Sequence, residues 1–314
     1  MKNAPPPPNL PRQAGQGQRP AQGHFLTRLG FFLLWLFHWL PLGLQAAIGN
    51  ALGGLACLFA QRRKRVARRN LELCFPEKSP AEIRRLLRQN LQATARAALE
   101  HGLLVWAPAS RLEKLIRVEG REHLEACLGR PLILLAPHFI GLDMGGVRMT
   151  LLTRIASLYS RARNDIADRH LLHARSRFNR TVLASRHEGI RPLIKIIQSG
   201  LPFYYLPDQD YGRRESIFVP FFGISAATIP ALARLARVAG AKVVPAVTRQ
   251  LPGGQGYVMQ FYPAWDNFPS GDLEADTRRM NAFIEERVRE MPEQYLWTHR
   301  RFKTRPEGEA GLYD

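Results

Sequence analysis

A long uncharged segment near the amino terminus places the strongest constraint on how this chain folds. From Leu29 to Gln61, 33 residues pass without an aspartate, glutamate, lysine or arginine. The part from Phe31 to Leu40 is densely apolar and rich in aromatic residues, and a helix of roughly 20 such residues spans a bilayer core. A buried core helix is the alternative. We predict a membrane-anchoring segment at residues 24–61, in the form of one N-terminal membrane helix with a kinked or interfacial extension.

The flanks of this segment give its expected orientation. Residues 1–23 are rich in proline, glutamine and glycine, a composition typical of a disordered tail. Arg62 to Arg69, directly after the apolar segment, holds six basic residues in eight. Basic flanks favour the cytoplasmic side and anionic lipid headgroups, so we expect a single pass with the remainder of the chain in the cytoplasm. Pro41 and the glycines after it leave open a break into a re-entrant pair.

The net charge of +19 implies an anionic partner, which can be nucleic acid, an anionic membrane surface or a phosphorylated or acidic substrate. The carboxyl-terminal run from Trp297 to Pro306 interleaves basic and aromatic residues, as nucleic-acid patches do, but no nucleic-acid-binding signature accompanies it. We therefore expect no nucleic acid. The three cysteines lack metal-ligand spacing, so no metal is expected on them. We also expect no cofactor.

The chain after residue 110 alternates between apolar strand-like and helical segments. This alternation predicts an α/β fold, a central mixed sheet flanked by helices, within a cytoplasmic domain at residues 62–314. A long helix is predicted from Ser79 to Trp106, and a helix of small residues from Ser225 to Ala239. Strands are predicted at residues 115–118, 132–136, 155–159, 202–206, 242–248 and 256–262.

The candidate active site follows the apolar strand at residues 132–136. His138 comes one residue after this strand, and Asp143 begins the next helical segment. Open α/β sheets bind ligands at the carboxyl ends of their strands, and a carboxylate beside a histidine makes it a general base for a hydroxyl. The spacing alone fits a structural histidine and a helix-capping aspartate equally well.

Further polar residues are expected near the same sheet edge. Asp208 and Asp210 follow the strand at 202–206; they could bind a metal, although turn or capping roles fit better because no third ligand cluster accompanies them. Arg175 could stabilise an oxyanion or hold a phosphate, or be merely solvated. No Gly-x-Ser-x-Gly motif and no cysteine beside a base occur, which favours direct transfer without a covalent intermediate.

Several motifs, in this order, resemble the secondary (lauroyl- or myristoyl-type) acyltransferases of lipid A biosynthesis. The resemblance covers nearly everything from Phe31 to Tyr313. The motifs are Asn70 to Glu77, Pro137 to Asp143, Tyr205 to Gly212, Ser216 to Gly223 with Ala226 to Thr228, and Pro292 to Gly308.

The resemblance implies a glycerolipid-acyltransferase-like enzyme of the bacterial inner membrane with its active site on the cytoplasmic face. It implies acyl transfer from acyl carrier protein to a hydroxyl on an acyl chain of a Kdo-lipid IV-A-type acceptor. His138 would be the base and Asp143 its partner, with Arg175 and Asp208 in supporting roles. Many members have glutamate where Asp143 stands, and glycine where Ala174 stands.

Two other functions remain as alternatives. One is a phospholipid-type acyltransferase acting on lysophosphatidate, which the ending from Arg300 to Pro306 argues against. The other is a non-catalytic, membrane-anchored protein that binds anionic lipid. Acyl transfer that depends on His138 separates the enzymes from the binding protein.

Overall fold

The predicted alternation of strands and helices forms a sheet with helices on both faces. The computed structural model describes residues 22–59, 61–159, 162, 164–185 and 189–313. The helices are α1 (Gln22–Phe37), α2 (Leu42–Phe59), α3 (Gln61–Cys74), α4 (Pro80–Trp106), α5 (Ala109–Leu115), α6 (Arg121–Glu125), α7 (Leu142–Leu152), α8 (Asp165–Ser176), α9 (Ile190–Gln198), α10 (Ala231–Ala239) and α11 (Leu273–Glu290). The strands are β1 (Ile116–Glu119), β2 (Leu132–Leu135), β3 (Ala156–Tyr159), β4 (Val182–Ser185), β5 (Phe203–Tyr205), β6 (Ile217–Phe221), β7 (Ile224–Thr228), β8 (Lys242–Gln250) and β9 (Tyr257–Phe261).

Seven strands form the main sheet in the order β1-β9-β8-β2-β5-β3-β4. Neighbouring strands are parallel, except that β8 and β9 are antiparallel. The sheet is therefore mixed, which confirms the predicted α/β class. Strands β6 and β7 pair as a separate antiparallel hairpin.

Strand β2 is central because all four of its residues are buried. Leu132 and Leu134 join one apolar core and Ile133 and Leu135 the other, since successive side chains of a strand point to opposite faces. Apolar residues of α7 fill the first core, and those of α9, α10 and α11 fill the second. A strand covered on both faces meets solvent only at its ends, so polar chemistry belongs at the edge where β2 stops.

Helix α4 is the scaffold against which the amino-terminal helices pack, and it begins where the sequence predicts. The Ser79 side chain accepts a hydrogen bond from the Glu82 backbone N–H, while the Glu82 carboxylate accepts one from the Ser79 N–H at 2.8 Å. These reciprocal bonds satisfy two backbone donors that the helix leaves free. The predicted helix from Ser79 to Trp106 is confirmed.

The uncharged amino-terminal segment folds as two helices instead of one. Helix α1 ends at Phe37 and α2 begins at Leu42, and the Arg111 guanidinium binds the carbonyl groups of His38 and Leu40 between them. Pro41 suits the start of the second helix because its missing N–H is not needed there. Among the residues described, none of the helices is both long enough and apolar enough to cross a membrane. The segment predicted as one helix with a kinked or interfacial extension is thus a pair of helices, α1 and α2.

Glycines let these two helices lie close to α4. A side-chain carbon added at Gly102 would lie 2.6 Å from the Leu34 carbonyl oxygen of α1, and one added at Gly53 would lie 2.4 Å from the Cα of Gln92. Such backbone approach requires glycine, and hydropathy alone gives no sign of it. The helices are therefore packed onto the α/β domain along part of their surface.

One further prediction, a helix, is wrong in part, and another, the disordered tail, lies mostly outside the described residues. The helix predicted from Ser225 to Ala239 is wrong in its first part, because Ile224–Thr228 is strand β7 and only Ala231–Ala239 is helical. The predicted disordered tail lies outside the described residues, except for positions 22 and 23, which begin α1. The proposed division of the chain into a tail (1–23), a membrane-anchoring segment (24–61) and an α/β domain (62–314) stays a prediction.

Candidate active site

His138 meets Asp208 where two neighbouring strands end. Strands β2 and β5 are parallel neighbours, so the residues that follow them emerge at the same sheet edge. The imidazole Nδ1 lies 2.7 Å from Oδ1 of Asp208, and the His138 backbone N–H donates to Oδ2 at 3.0 Å. The Asp208 side chain is only 1% exposed, against 16% for His138. One buried carboxylate therefore holds both the ring and the backbone of the histidine.

The partner on Nδ1 decides which imidazole nitrogen is available. A carboxylate only accepts hydrogen bonds, so Nδ1 carries the proton and Nε2 keeps its lone pair. The Gln209 amide donates to this Nε2 at 3.2 Å. The nitrogen at that position is thus a hydrogen-bond acceptor, as needed to take a proton from a hydroxyl.

Opposing influences act on the Asp208 carboxyl. Burial by itself would raise its pKa, but the charge of His138 and the hydrogen bonds from its ring and backbone, with a smaller contribution from Tyr295, lower the pKa on balance. The carboxylate form is therefore favoured at neutral pH despite near-complete burial. An ionised Asp208 stabilises a positive charge forming on His138.

Asp143 takes a different partner from the one predicted. Its Oδ1 lies 3.5 Å from Nη2 of Arg175, on α8, and both side chains are partly exposed. Between His138 and Asp143, Phe139 pairs with Tyr295, and the Ile140 N–H donates to the Gln294 carbonyl at 2.8 Å. The structure therefore pairs His138 with Asp208 and Asp143 with Arg175, and the predicted catalytic pairing of His138 with Asp143 stays a prediction.

A mostly apolar cleft begins beside the Asp143–Arg175 pair and extends along α7. It lies between α4, α7, α8 and the sheet, is partly open to solvent and has a cavity volume of about 40 Å³. Leu142 and Leu206, which flank the His138 and Asp208 loops in sequence, line it, as does Thr150 at the far end of α7. Tyr204 also lines the cleft, and its hydroxyl donates to the Leu142 carbonyl at 3.3 Å. Such a shape suits an extended apolar chain.

The carboxyl-terminal segment supports the loop that carries Asp208. Asp210 accepts hydrogen bonds from the Thr304 N–H and hydroxyl, each at 2.8 Å, and its own N–H donates to Nε2 of His299 at 2.9 Å. Burial, and then the charge of Arg301, lower the pKa of His299 to about 4, so its ring stays neutral and can accept this bond. Asp210 therefore anchors the loop, consistent with the predicted turn role and not with metal binding.

Sequence reasoning missed several residues that complete the site. Gln209, Tyr295 and His299 all contact the histidine, its aspartate or its loop. All three lie inside stretches that carry the family resemblance, and this was the available signal. Within the described part of the chain, no group of three histidine, cysteine or acidic side chains is placed to hold a metal ion.

The fold and site define a class of protein: an α/β protein that places a carboxylate-supported basic histidine at a sheet edge beside an apolar cleft. A profile described as bacterial lipid A biosynthesis acyltransferase matches residues 16–304. The chain therefore belongs to the family of bacterial lipid A biosynthesis acyltransferases, and it is an acyltransferase.

Individual relatives agree with the family. The lipid A biosynthesis lauroyltransferase of Escherichia coli K12 is 36% identical over 293 residues, covering 92% of this chain and 95% of the relative. The palmitoleoyltransferase of the same organism is 33% identical over the same shares. Among solved structures, the 1-acyl-sn-glycerophosphate acyltransferase PlsC from Thermotoga maritima aligns with 84% of this chain and 98% of its own, at 14% identity and a TM-score of 0.35.

Proposed function

We propose that this enzyme transfers a fatty acyl chain from acyl carrier protein to a hydroxyl on an acyl chain of a Kdo-bearing lipid A precursor, with His138 as general base. The observation that carries the proposal is the buried Asp208 carboxylate on Nδ1 of His138, because it leaves the lone pair on Nε2, where the acceptor hydroxyl would take the place of the Gln209 amide. The adjoining apolar cleft supports a fatty acyl donor. The net charge of +19 suits an acidic carrier protein and a phosphorylated lipid.

The reaction needs no covalent enzyme intermediate. Nε2 of His138 accepts the proton of the acceptor hydroxyl as that oxygen attacks the thioester carbonyl. The imidazolium is stabilised by Asp208 and held in the correct orientation. The tetrahedral intermediate then expels the thiolate, which receives the proton from His138 as the carbon–sulfur bond breaks. Donors near the cleft mouth stabilise the oxyanion while it exists.

Arg175 is the side chain we propose for that stabilisation. It lines the cleft and forms an ion pair with Asp143, so Asp143 orients a cation where the thioester would enter. In this proposal Asp208 supports the base and Asp143 supports the oxyanion donor. Each carboxylate therefore supports a different charge of the same tetrahedral intermediate.

The direct test is an assay with purified full-length protein, acyl carrier protein thioesters of several chain lengths and Kdo-lipid IV-A in detergent. We expect the acceptor mass to increase by one acyl group, and His138→Ala to abolish that increase while the protein stays folded. Transfer to lysophosphatidate but not to Kdo-lipid IV-A would favour the phospholipid-type alternative. Binding of the lipid without any acylation by the wild type would favour the non-catalytic one.

We further propose that α1 and α2 lie on the surface of the inner membrane. Phe25 and Leu26 of α1 are 70% and 71% exposed, Trp39 in the turn between the helices is 67% exposed, and other large apolar side chains of α1 and α2 are also exposed. Single exposed apolar residues need no explanation, but a contiguous group marks an interaction surface. The exposed arginines that open α3 follow directly and suit anionic headgroups. This contact would keep the enzyme beside its lipid acceptor.

Membrane association tests this surface. We expect Phe32→Glu with Trp39→Glu to lower binding to anionic vesicles by at least roughly 10-fold, because burial of one aromatic side chain contributes about 1.5–3 kcal/mol. Wild-type binding should survive high salt, which screens charge but leaves apolar contact intact. Val238→Glu, at an exposed valine on α10, is the matched control and should bind like wild type. Complete release of the wild type by salt would contradict an apolar contact.

A further inference from the structure

Gln209 lies at the nitrogen of His138 that would take the acceptor's proton. Its side-chain amide nitrogen is 3.2 Å from Nε2, and a hydroxyl that gives its proton to this nitrogen must come within about 2.6–3.2 Å of it. The amide therefore occupies the position that the acceptor hydroxyl must take. The lone pair of the base is engaged in the resting enzyme, so the reaction must begin with displacement of this amide.

The hydroxyl of Tyr211 fixes the direction of the Gln209 amide. It donates a hydrogen bond to the Gln209 side-chain oxygen at 3.0 Å. A carboxamide carries its oxygen on one side and its two N–H donors on the other. Because the oxygen is turned to Tyr211, the nitrogen is turned to the imidazole of His138. Tyr211 is 42% exposed, so this chain of hydrogen bonds runs from the protein surface to the base.

The backbone on both sides of Gln209 is anchored, whereas its side chain is half-buried. Asp208 and Asp210 are each 2% exposed. Asp208 accepts hydrogen bonds from the ring and the backbone N–H of His138. Asp210 accepts from the Thr304 N–H at 2.8 Å. The amide can therefore leave Nε2 by rotation of its own side chain, without a change in the loop.

Water and a lipid acceptor differ in how easily they displace this amide. An intramolecular hydrogen bond of this kind favours the bonded state over the open one by roughly 3- to 10-fold. A large lipid can offset that cost through contacts that it makes elsewhere on the enzyme. A water molecule makes no such contacts. The amide therefore opposes hydrolysis of a bound thioester more strongly than it opposes transfer to the lipid.

We propose that Gln209 determines acceptor specificity, because its amide keeps Nε2 of His138 from activating water and yields to the lipid hydroxyl. The inference rests on the proposed role of His138 as the base. In the side reaction that Gln209 opposes, the oxygen of water attacks the thioester carbonyl while Nε2 takes its proton. The carbon–sulfur bond then breaks, the thiolate receives that proton, and a free fatty acid is released.

The test is Gln209→Ala, assayed with and without the acceptor. Without Kdo-lipid IV-A, we expect hydrolysis of an acyl carrier protein thioester to rise roughly 3- to 10-fold, and added His138→Ala to abolish the rise. With the acceptor, KM for the lipid should fall by a similar factor, because the lipid no longer displaces the amide. Transfer at saturating lipid should not increase. A merely structural role of Gln209 predicts a lower kcat and no fall in KM.

Tyr211→Phe loosens the amide but leaves it in place. We expect hydrolysis to rise by about 2-fold, with no further rise when Tyr211→Phe is added to Gln209→Ala. Gln198→Ala is the matched control, because that glutamine is exposed at the end of α9 and donates to the Val238 carbonyl at 3.3 Å. Hydrolysis and KM in Gln198→Ala should equal those of the wild type.

A second measurement does not need turnover. Diethyl pyrocarbonate reacts with the lone pair of a neutral imidazole nitrogen, and mass spectrometry of the peptide that contains His138 gives the rate. Modification that is roughly 3- to 10-fold faster in Gln209→Ala than in the wild type and Gln198→Ala supports the inference, even if the acceptor is not Kdo-lipid IV-A. Equal rates in Gln209→Ala and wild type, or equal increases in both glutamine variants, would overturn it. Failure of the wild type to acylate Kdo-lipid IV-A would bear instead on the proposed function.

Discussion

Asp208→Asn should lower kcat by about 10³- to 10⁴-fold, the effect seen when the carboxylate behind a catalytic histidine is neutralised. Asparagine cannot stabilise the imidazolium by charge. Its amide N–H can also donate to Nδ1 of His138, which would place the ring proton on Nε2 and remove the base. The buried site offers little room for water to substitute, since Asp208 is 2% exposed.

Asp143→Asn is the matched change at the other carboxylate, and we expect a smaller loss of roughly 10- to 100-fold. Loosening an oxyanion donor costs less than removing one, which lowers kcat by about 10²- to 10³-fold. If Asp143 acts through Arg175, then Asp143→Asn combined with Arg175→Gln should be hardly worse than Arg175→Gln alone. Asp208→Asn should likewise add little to His138→Ala.

These pairs are measured by single-turnover kinetics with one acyl carrier protein thioester, after thermal unfolding has shown that each variant is folded. The reverse ranking, with Asp143→Asn abolishing transfer and Asp208→Asn tolerated, would assign the supporting carboxylate to Asp143. Strict additivity of Asp143→Asn and Arg175→Gln would separate those two side chains in function, despite their contact of 3.5 Å.

Part of the site was predictable because two of its residues directly follow buried strands. His138 and Asp208 each follow a buried apolar run, so sequence alone places both at one edge of a parallel sheet. Their adjacency depends on β5 being the neighbour of β2, and strand order is a tertiary property that the spacing does not encode. The sequence separation of Asp143 from His138 is short, but the partner of Asp143 in the structure, Arg175, lies on α8, and spacing within one loop does not reveal such a contact.

The amino-terminal segment shows a different limit of sequence reasoning. Hydropathy responds to composition, and the uncharged run from Leu29 to Gln61 is apolar whether it forms one helix or two. The break depends on Arg111, far along the chain, and on glycines whose use appears only when α4 lies against them. Likewise, residues 225–228 are small enough for a helix, but pairing with β6 makes them a strand.

The supporting residues were harder still to predict, because their roles come from contacts across the chain. Asn70 and Asn90 are buried on α3 and α4, and their amides bind backbone carbonyls of the segment from Glu293 to His299. These contacts join residues more than 200 positions apart in sequence. An asparagine on an apolar helix face suggests a buried partner but does not say which one.

The apolar cleft gives the second large expected effect: Gly146→Met should change which acyl chains are transferred. Gly146 lines the cleft on α7, and a side-chain carbon there would meet only the Tyr204 ring, at 3.8 Å. The substitution therefore fits the fold, and the rest of its side chain enters the space proposed for the acyl chain. Donors long enough to reach it should lose roughly 10- to 200-fold in kcat/KM, the cost of about one methylene that does not fit, while shorter donors keep their rate.

The length of acyl chain that is excluded should depend on how far along α7 the substitution lies. Thr150 lies one turn beyond Gly146 and also lines the cleft, so Thr150→Met should exclude only the longest donors, whereas Gly146→Met should exclude intermediate ones as well. Gly54→Met, at another helical glycine with no atom nearer than 4.0 Å, controls for the substitution itself. The measurement is the product mass distribution from an equimolar panel of acyl carrier protein thioesters. An equal loss for all chain lengths would show that the side chain introduced by Gly146→Met blocks entry to the cleft and does not limit its depth. An unchanged product distribution in both variants would place the acyl chain outside this cleft.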